Sequence, residues 1–272
     1  MAKQKDFDTF LRNIEPSKTT VQYVSSVQNS LRDYLRQHKT YSNVHKETFL
    51  SGSYAKHTSI RPTKEDNKRD VDIIVVTTHS QDDDSSKVLQ ELYDVLVASS
   101  TYRSATIQHH SVGIELSQLS IDVVPVIVDK DDDSLYWIAD SEDGTWTNSD
   151  PKGHKNWSTE TNQNNNNNYK PLVKIFKWWR RKHCPGGVKY PKGITLEKLI
   201  ADNLGDSSAS TEDFLIETMQ NIVSAYKKAY VDAGINPYID DPSGKIDSND
   251  LLAGYTTDDF KGFILKLDEH IK

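Results

Sequence analysis

The apolar positions of this chain change period along its length. In the first forty residues Val21, Val24, Val27, Leu31 and Leu35 recur at spacings of three and four, which predicts one stripe of an amphipathic helix. Residues 5–38 read as helical, broken at Glu15-Pro16-Ser17, with Ser17 as N-cap of the second helix. The pattern then turns strand-like. Thr48-Phe49-Leu50, Ile73-Ile74-Val75-Val76, the rough alternation over 104–116 and the β-branched run Ser120 to Val128 each predict a strand. One helix interrupts them: Val88, Leu92, Val95 and Leu96 share a face over 85–99, after the acidic loop Gln81 to Asp84, read as a helix cap. Beyond residue 155 the helical period returns. Leu172, Ile175, Phe176 and Trp179 line one side of a helix over 169–183, and 210–233 and 257–271 read as further helices, the last with Thr257 as N-cap. The polar run 161–168 predicts a loop or ragged helix start, and 237–254 a turn-rich loop. The expected fold is α/β (α+β): a mixed sheet with flanking helices over 1–155, then a helical lobe over 156–272.

The acids that break the strand pattern carry the candidate chemistry. Asp70-Val71-Asp72 heads the run Ile73 to Val76. Side chains at i and i+2 share one side of a strand, so Asp70 and Asp72 project together. Paired carboxylates repel, and one takes up a proton unless a cation lies between them. Mg²⁺, a hard ion that prefers oxygen ligands, is the simplest choice, with Mn²⁺ as the alternative. Asp122 interrupts the second β-branched run, where an unpaired carboxylate is costly. Were the two strands neighbours, the three acids would converge as a two-metal nucleotidyl-transfer site. Gly52-Ser53 precedes a helix start, where glycine allows close approach of a phosphate and free N–H groups meet an anion. Alone, an Asp-x-Asp is often a solvated strand end and a Gly-Ser pair a common turn. The ordered set is more specific than its parts.

The segment from Gly52-Ser53 to Asp72 resembles the DNA polymerase β-like nucleotidyltransferases. Lys170 to Trp179, and Pro237 to Leu251 with Asp241-Pro242 and Asn249, are similar to the central helix and C-terminal part of bacterial cyclases related to cyclic GMP-AMP synthase and oligoadenylate synthase, the CD-NTase or SMODS family. Trp146, Asp150-Pro151 and His154 fit that family's crossing out of the catalytic half. The resemblance implies catalytic and metal-binding roles for Asp70, Asp72 and Asp122, and nucleotide-binding roles for Gly52, Ser53 and Lys177, with Lys174 as second choice. Gly193-Ile194 offers no polar side chain where relatives often have one, leaving Thr195 as the substitute. It further implies nucleoside triphosphates as substrates, a cyclic di- or trinucleotide second messenger as product, and a downstream effector in antiphage defence. Linear oligonucleotide synthesis, terminal nucleotidyl transfer, a nucleotide sensor without catalysis, and a regulator that binds a partner protein stay open. Thr58 is read as structural, and Lys64, Lys68 and Arg69 as loop cations, one of which could meet phosphate.

Composition narrows the partners. A net charge of −7 and a pI near 5.7 argue against a surface that grips long nucleic acid. The basic face Lys170, Lys174, Lys177, Arg180, Arg181 and Lys182 is the local exception. Cys184 is the single cysteine, so no intrachain disulfide and no cysteine-based zinc site forms, and a cytoplasmic location is expected. No apolar run approaches a membrane span, and the adjacent pair His109-His110, read on a regular strand, would point to opposite faces and could not share a metal.

Overall fold

The computed structural model describes residues 4–62, 69–184, 189–246 and 250–272. Lys64, Lys68 and Asn249, named above, lie outside the described residues, as does the side chain of Arg69. In chain order the helices are α1 (Gln4–Ile14), α2 (Lys18–Gln37), α3 (Gly52–Ala55), α4 (Ser85–Val97), α5 (Pro151–Asn164), α6 (Tyr169–His183), α7 (Gly193–Ala201), α8 (Thr211–Tyr226) and α9 (Thr257–His270). The strands are β1 (His45–Leu50), β2 (Arg69–Thr77), β3 (Thr106–Ile107), β4 (Val112–Glu115), β5 (Leu119–Val128), β6 (Tyr136–Ala139) and β7 (Trp146–Ser149). This is the α/β class the pattern predicts. Two compact units result: Pro16–Lys56 with Arg61–Lys155, and Met1–Glu15 with His57–Ile60 and Asn156–Lys272.

The first unit is built on one mixed sheet in the order β1-β2-β5-β4-β3, extended by β6 and β7 from β5. β2 and β5 run parallel at its centre, and the other neighbours are antiparallel. Alternation along β2 and β5 sends Val71, Ile73, Val75, Ile121 and Val123 into a core with Val24, Leu31, Leu35, Leu89, Leu92 and Leu96 from α2 and α4. Fully burying a side chain of that size contributes about 1.5–3 kcal/mol. Ile74, Val76, Val126 and Tyr136 form a smaller cluster on the opposite face. Caps fit the sequence at two ends: Ser17 Oγ accepts from Thr20 N at 3.1 Å, and Asp84 Oδ1 from Ser86 N at 3.0 Å.

The second unit is helical. Leu172, Phe176 and Trp179 of α6 pack with Leu196, Leu199, Ile222, Phe260, Phe263 and Leu267. α1 belongs to this unit: Phe10 meets the Trp178 ring edge-on at 4.9 Å, and Lys174 Nζ lies 2.6 Å from Glu15 Oε1.

Four readings are corrected. Residues 104–116 form a hairpin rather than one strand, because Gln108 N donates to Ser111 O and Ser111 Oγ to Gln108 Oε1, both at 2.8 Å. The polar run 161–168 is largely helical at its start: α5 carries on to Asn164, then Asn166 and Asn167 take positive φ, a conformation asparagine tolerates. The cap of α9 is Thr256, not Thr257; Thr256 Oγ1 accepts from Asp259 N at 3.1 Å while Asp259 Oδ2 accepts from Thr256 N at 2.9 Å. The aromatic stretch after Leu135 holds a hairpin, β6–β7, that its turn residues had hidden.

Candidate active site

Parallel pairing of β2 with β5 sets Asp72 directly opposite Asp122, and Asp70 opposite Ser120. Neighbouring strands lie about 4.8 Å apart and side chains alternate, so the three carboxylates share the sheet face turned away from the α2/α4 core. Asp70 is exposed, and Asp72 and Asp122 are half-buried. Burial, then the neighbouring Asp122, pushes the Asp72 carboxyl above the usual range; the nearby Lys56 ammonium pulls it back. Burial, then Asp70, raises Asp122 likewise, and a hydrogen bond from the Gln108 side chain opposes the rise. A donor set of clustered carboxylate oxygens that resist holding their charges suits a hard divalent cation.

Gly52 is part of the same face. Its φ is +56°, and a Cβ there would lie 1.8 Å from Asp72 Oδ2. Glycine is therefore required twice, by backbone conformation and by contact. Ser51 N donates to Asp72 O at 2.9 Å, tying the turn to β2. Ser53 is the second residue of α3, which is a single turn rather than a full helix. Lys56, at its C-cap, is 6% exposed, and its charge acts on Asp72. The sequence reading missed it. Its signal is its place just past the Gly-Ser turn, in a segment otherwise read for anions.

Lys177, Lys174 and Thr195 belong to the helical unit, and each polar group is engaged there. Lys177 Nζ lies 2.7 Å from Glu197 Oε1 and 3.0 Å from Thr58 Oγ1, and Thr58 Oγ1 donates to the same Glu197 oxygen at 2.8 Å. Glu197 and Thr58 are fully buried. Glu197 was not foreseen; an acid was needed to compensate a lysine on a packed helix. Lys174 pairs with Glu15, and Thr195 Oγ1 donates to Leu251 O at 3.1 Å.

Residues 1–162 match the family model of the Second Messenger Oligonucleotide or Dinucleotide Synthetase domain, SMODS. The chain belongs to the SMODS family. It is a nucleotidyltransferase of the cyclic-oligonucleotide-synthase type. This SMODS protein is 38% identical over 272 residues to a cyclic AMP-AMP-AMP synthase of Acinetobacter sp., covering 99% of this chain and 77% of the relative. It is 25% identical over 320 aligned positions to a cyclic AMP-AMP-GMP synthase of Enterobacter hormaechei, covering 97% and 83%. Among solved structures, the Bradyrhizobium diazoefficiens CD-NTase CdnG in complex with GTP superposes with a TM-score of 0.81 at 10% identity, covering 97% of this chain and 89% of that one. E. coli CdnC with ATP gives 0.70 at 20% identity, covering 99% and 89%. Those structural likenesses show that the SMODS protein has the polymerase β-like CD-NTase fold. Among the described residues no helix is long and apolar enough to cross a membrane.

Proposed function

We propose that this chain condenses nucleoside triphosphates into a cyclic trinucleotide containing adenine, with Asp70, Asp72 and Asp122 as its catalytic, metal-holding acids. The observation that carries the acid assignment is the parallel register that pairs Asp72 with Asp122. The product reading rests on the relatives named for cyclic AMP-AMP-AMP and cyclic AMP-AMP-GMP. A ribose hydroxyl of one nucleotide attacks the α-phosphorus of the next, a phosphodiester forms, and pyrophosphate leaves; repetition and ring closure give the product. Mg²⁺ ions at the three carboxylates would activate the hydroxyl and neutralise the departing pyrophosphate.

The residues of the chain would divide the work. Asp70 and Asp72 would hold one ion, and Asp122 would join them on a second. Gly52 would let the backbone approach the triphosphate, and Ser53 and Lys177 would bind its oxygens. Lys177 would do so in exchange for part of its contact with Glu197. Lys174 and Thr195 are secondary candidates, since Glu15 and Leu251 already engage them. The catalytic core, with its N-terminal bracing helices, is assigned to 1–155 and the helical lobe to 156–272. The product would act on an effector in the cytoplasm, in defence against phage.

The test is incubation with all four NTPs and Mg²⁺ or Mn²⁺, then phosphatase and mass spectrometry. A phosphatase-resistant mass of a cyclic trinucleotide containing adenine, absent with Asp70→Asn/Asp72→Asn, is expected. Linear products alone would replace the cyclase reading with a linear oligonucleotide synthase.

A further inference from the structure

The turn that splits 104–116 into a hairpin places two histidines where a regular strand could not. His109 and His110 stack with ring centroids 3.9 Å apart and planes at 27°. Both face Asp140, which follows β6. His109 Nε2 lies 2.9 Å from Asp140 Oδ2, and His110 Nδ1 lies 3.9 Å from the same oxygen. One ligand atom from each of the three residues falls within 4.8 Å of the others. The acidic Glu142 is close behind, 3.8 Å from His109 Nε2.

We propose that His109, His110 and Asp140 form a binding site for a divalent transition-metal ion of the Zn²⁺ class, separate from the Asp70/Asp72/Asp122 face. Imidazole nitrogen with carboxylate oxygen is a donor set for Zn²⁺, Ni²⁺ or Cu²⁺, where oxygen-only sets favour Mg²⁺. Three ligand atoms on a tetrahedral Zn²⁺ lie about 3.3 Å apart, given bonds of about 2.0–2.1 Å. The separations of 2.9 and 3.9 Å from Asp140 straddle that value, and the two stacked rings must splay apart for both nitrogens to face one ion. Glu142 or water takes the fourth position.

The backbone under the site is already fixed. Ser141 N donates to His109 O at 2.9 Å, which ties the turn to the end of β6. Ser85 Oγ donates to Asp140 O at 2.7 Å, and Asp140 N donates back to Ser85 Oγ at 3.1 Å. Hydrogen bonds, first from the Glu142 backbone N–H, hold the Asp140 carboxyl below the usual range. The Asp140 side chain is only 12% exposed while that of His109 is 49% exposed, giving a buried anchor with an open approach. His110 Nδ1 lies 3.0 Å from Ala139 O. An ion bound at Nδ1 would take the place of that contact.

The site has a consequence for the acids. Gln108, the residue before His109, hydrogen-bonds the Asp122 carboxylate. An ion that clamps 109 and 110 to Asp140 restrains the turn from which Gln108 supports Asp122.

The experiment is calorimetric titration of the full chain with Zn²⁺ in excess Mg²⁺, which competes poorly for imidazole. One equivalent should bind, and His109→Gln/His110→Gln should weaken it by about tenfold or more. His183→Gln should leave it unchanged, although His183 and His270 also pair, at 4.3 Å between centroids. In the wild-type protein, Zn²⁺ should protect His109 and His110 from diethyl pyrocarbonate, read by peptide mass spectrometry, which does not depend on any variant folding. Equal affinity in the double variant, no stoichiometric binding, or no protection at these two histidines would each overturn the site.

Discussion

Gly52 and Asp72 meet at the atom glycine lacks: a Cβ on residue 52 would fall 1.8 Å from Asp72 Oδ2. The turn before the acidic strand is thereby fitted to the carboxylate itself. Gly52→Ala should shift Asp72 or the turn, and its positive φ adds about 1–2 kcal/mol of backbone strain. Product formation should fall far more than the melting temperature does. A fully active Gly52→Ala enzyme would refute the fit.

Removing one acid should separate catalysis from stability. If the ions supply several kcal/mol to the transition state, Asp72→Asn should lose about 10³-fold or more in rate. Without metal, the same variant should be more stable than the wild type at neutral pH, since burial and Asp122 oppose the charged form of Asp72. Parallel thermal melts and rate assays test both halves.

The pH dependence has a definite sign. Asp72 and Asp122 both have raised folded-state values, from burial first and then from neighbouring acids. Their stabilising contribution is complete below the ordinary carboxylate range and is lost as pH rises through the raised values. The metal-free melting temperature should therefore carry a component that declines on going from acid toward neutral pH. Adding Mg²⁺ should remove that decline, and Asp72→Asn/Asp122→Asn should lack it. A wild-type profile identical to that of the double variant would exclude the coupling.

Lys177 should matter for folding before it matters for turnover. Glu197 is fully buried and accepts from both Lys177 and Thr58. Lys177→Met breaks a buried ion pair by removing its cation, a cost of about 3–5 kcal/mol by chemical denaturation. Lys177→Met/Glu197→Gln should recover most of it. If the double variant folds well yet has a raised KM for the NTP, Lys177 also binds phosphate; an unchanged KM would remove it from the site.

Thr256→Ala tests the capping box with no expected effect on chemistry. Loss of the Thr256–Asp259 exchange should cost about 1 kcal/mol. Activity at a temperature well below the melt should stay at the wild-type level.

Local pattern alone determined much of this protein. Period-2 runs with acids at Asp70, Asp72 and Asp122 announced strands with carboxylates on a defined side, because alternation follows from backbone geometry. Ser17 and Asp84 announced their helices, because a cap bonds within three residues. Family membership was legible too, since its motifs are short and contiguous. Tertiary structure decided what depends on partners distant in sequence. The parallel register that sets Asp72 against Asp122 spans 50 residues of chain. Glu197 became the acid for Lys177 only once α6 and α7 packed together. His109 and His110 came together on Asp140 because a four-residue turn, closed between Gln108 and Ser111, folds the expected single strand into a hairpin. Short-range geometry is written residue by residue; convergence of charge is set by which elements pack, and a chain pattern does not contain that information.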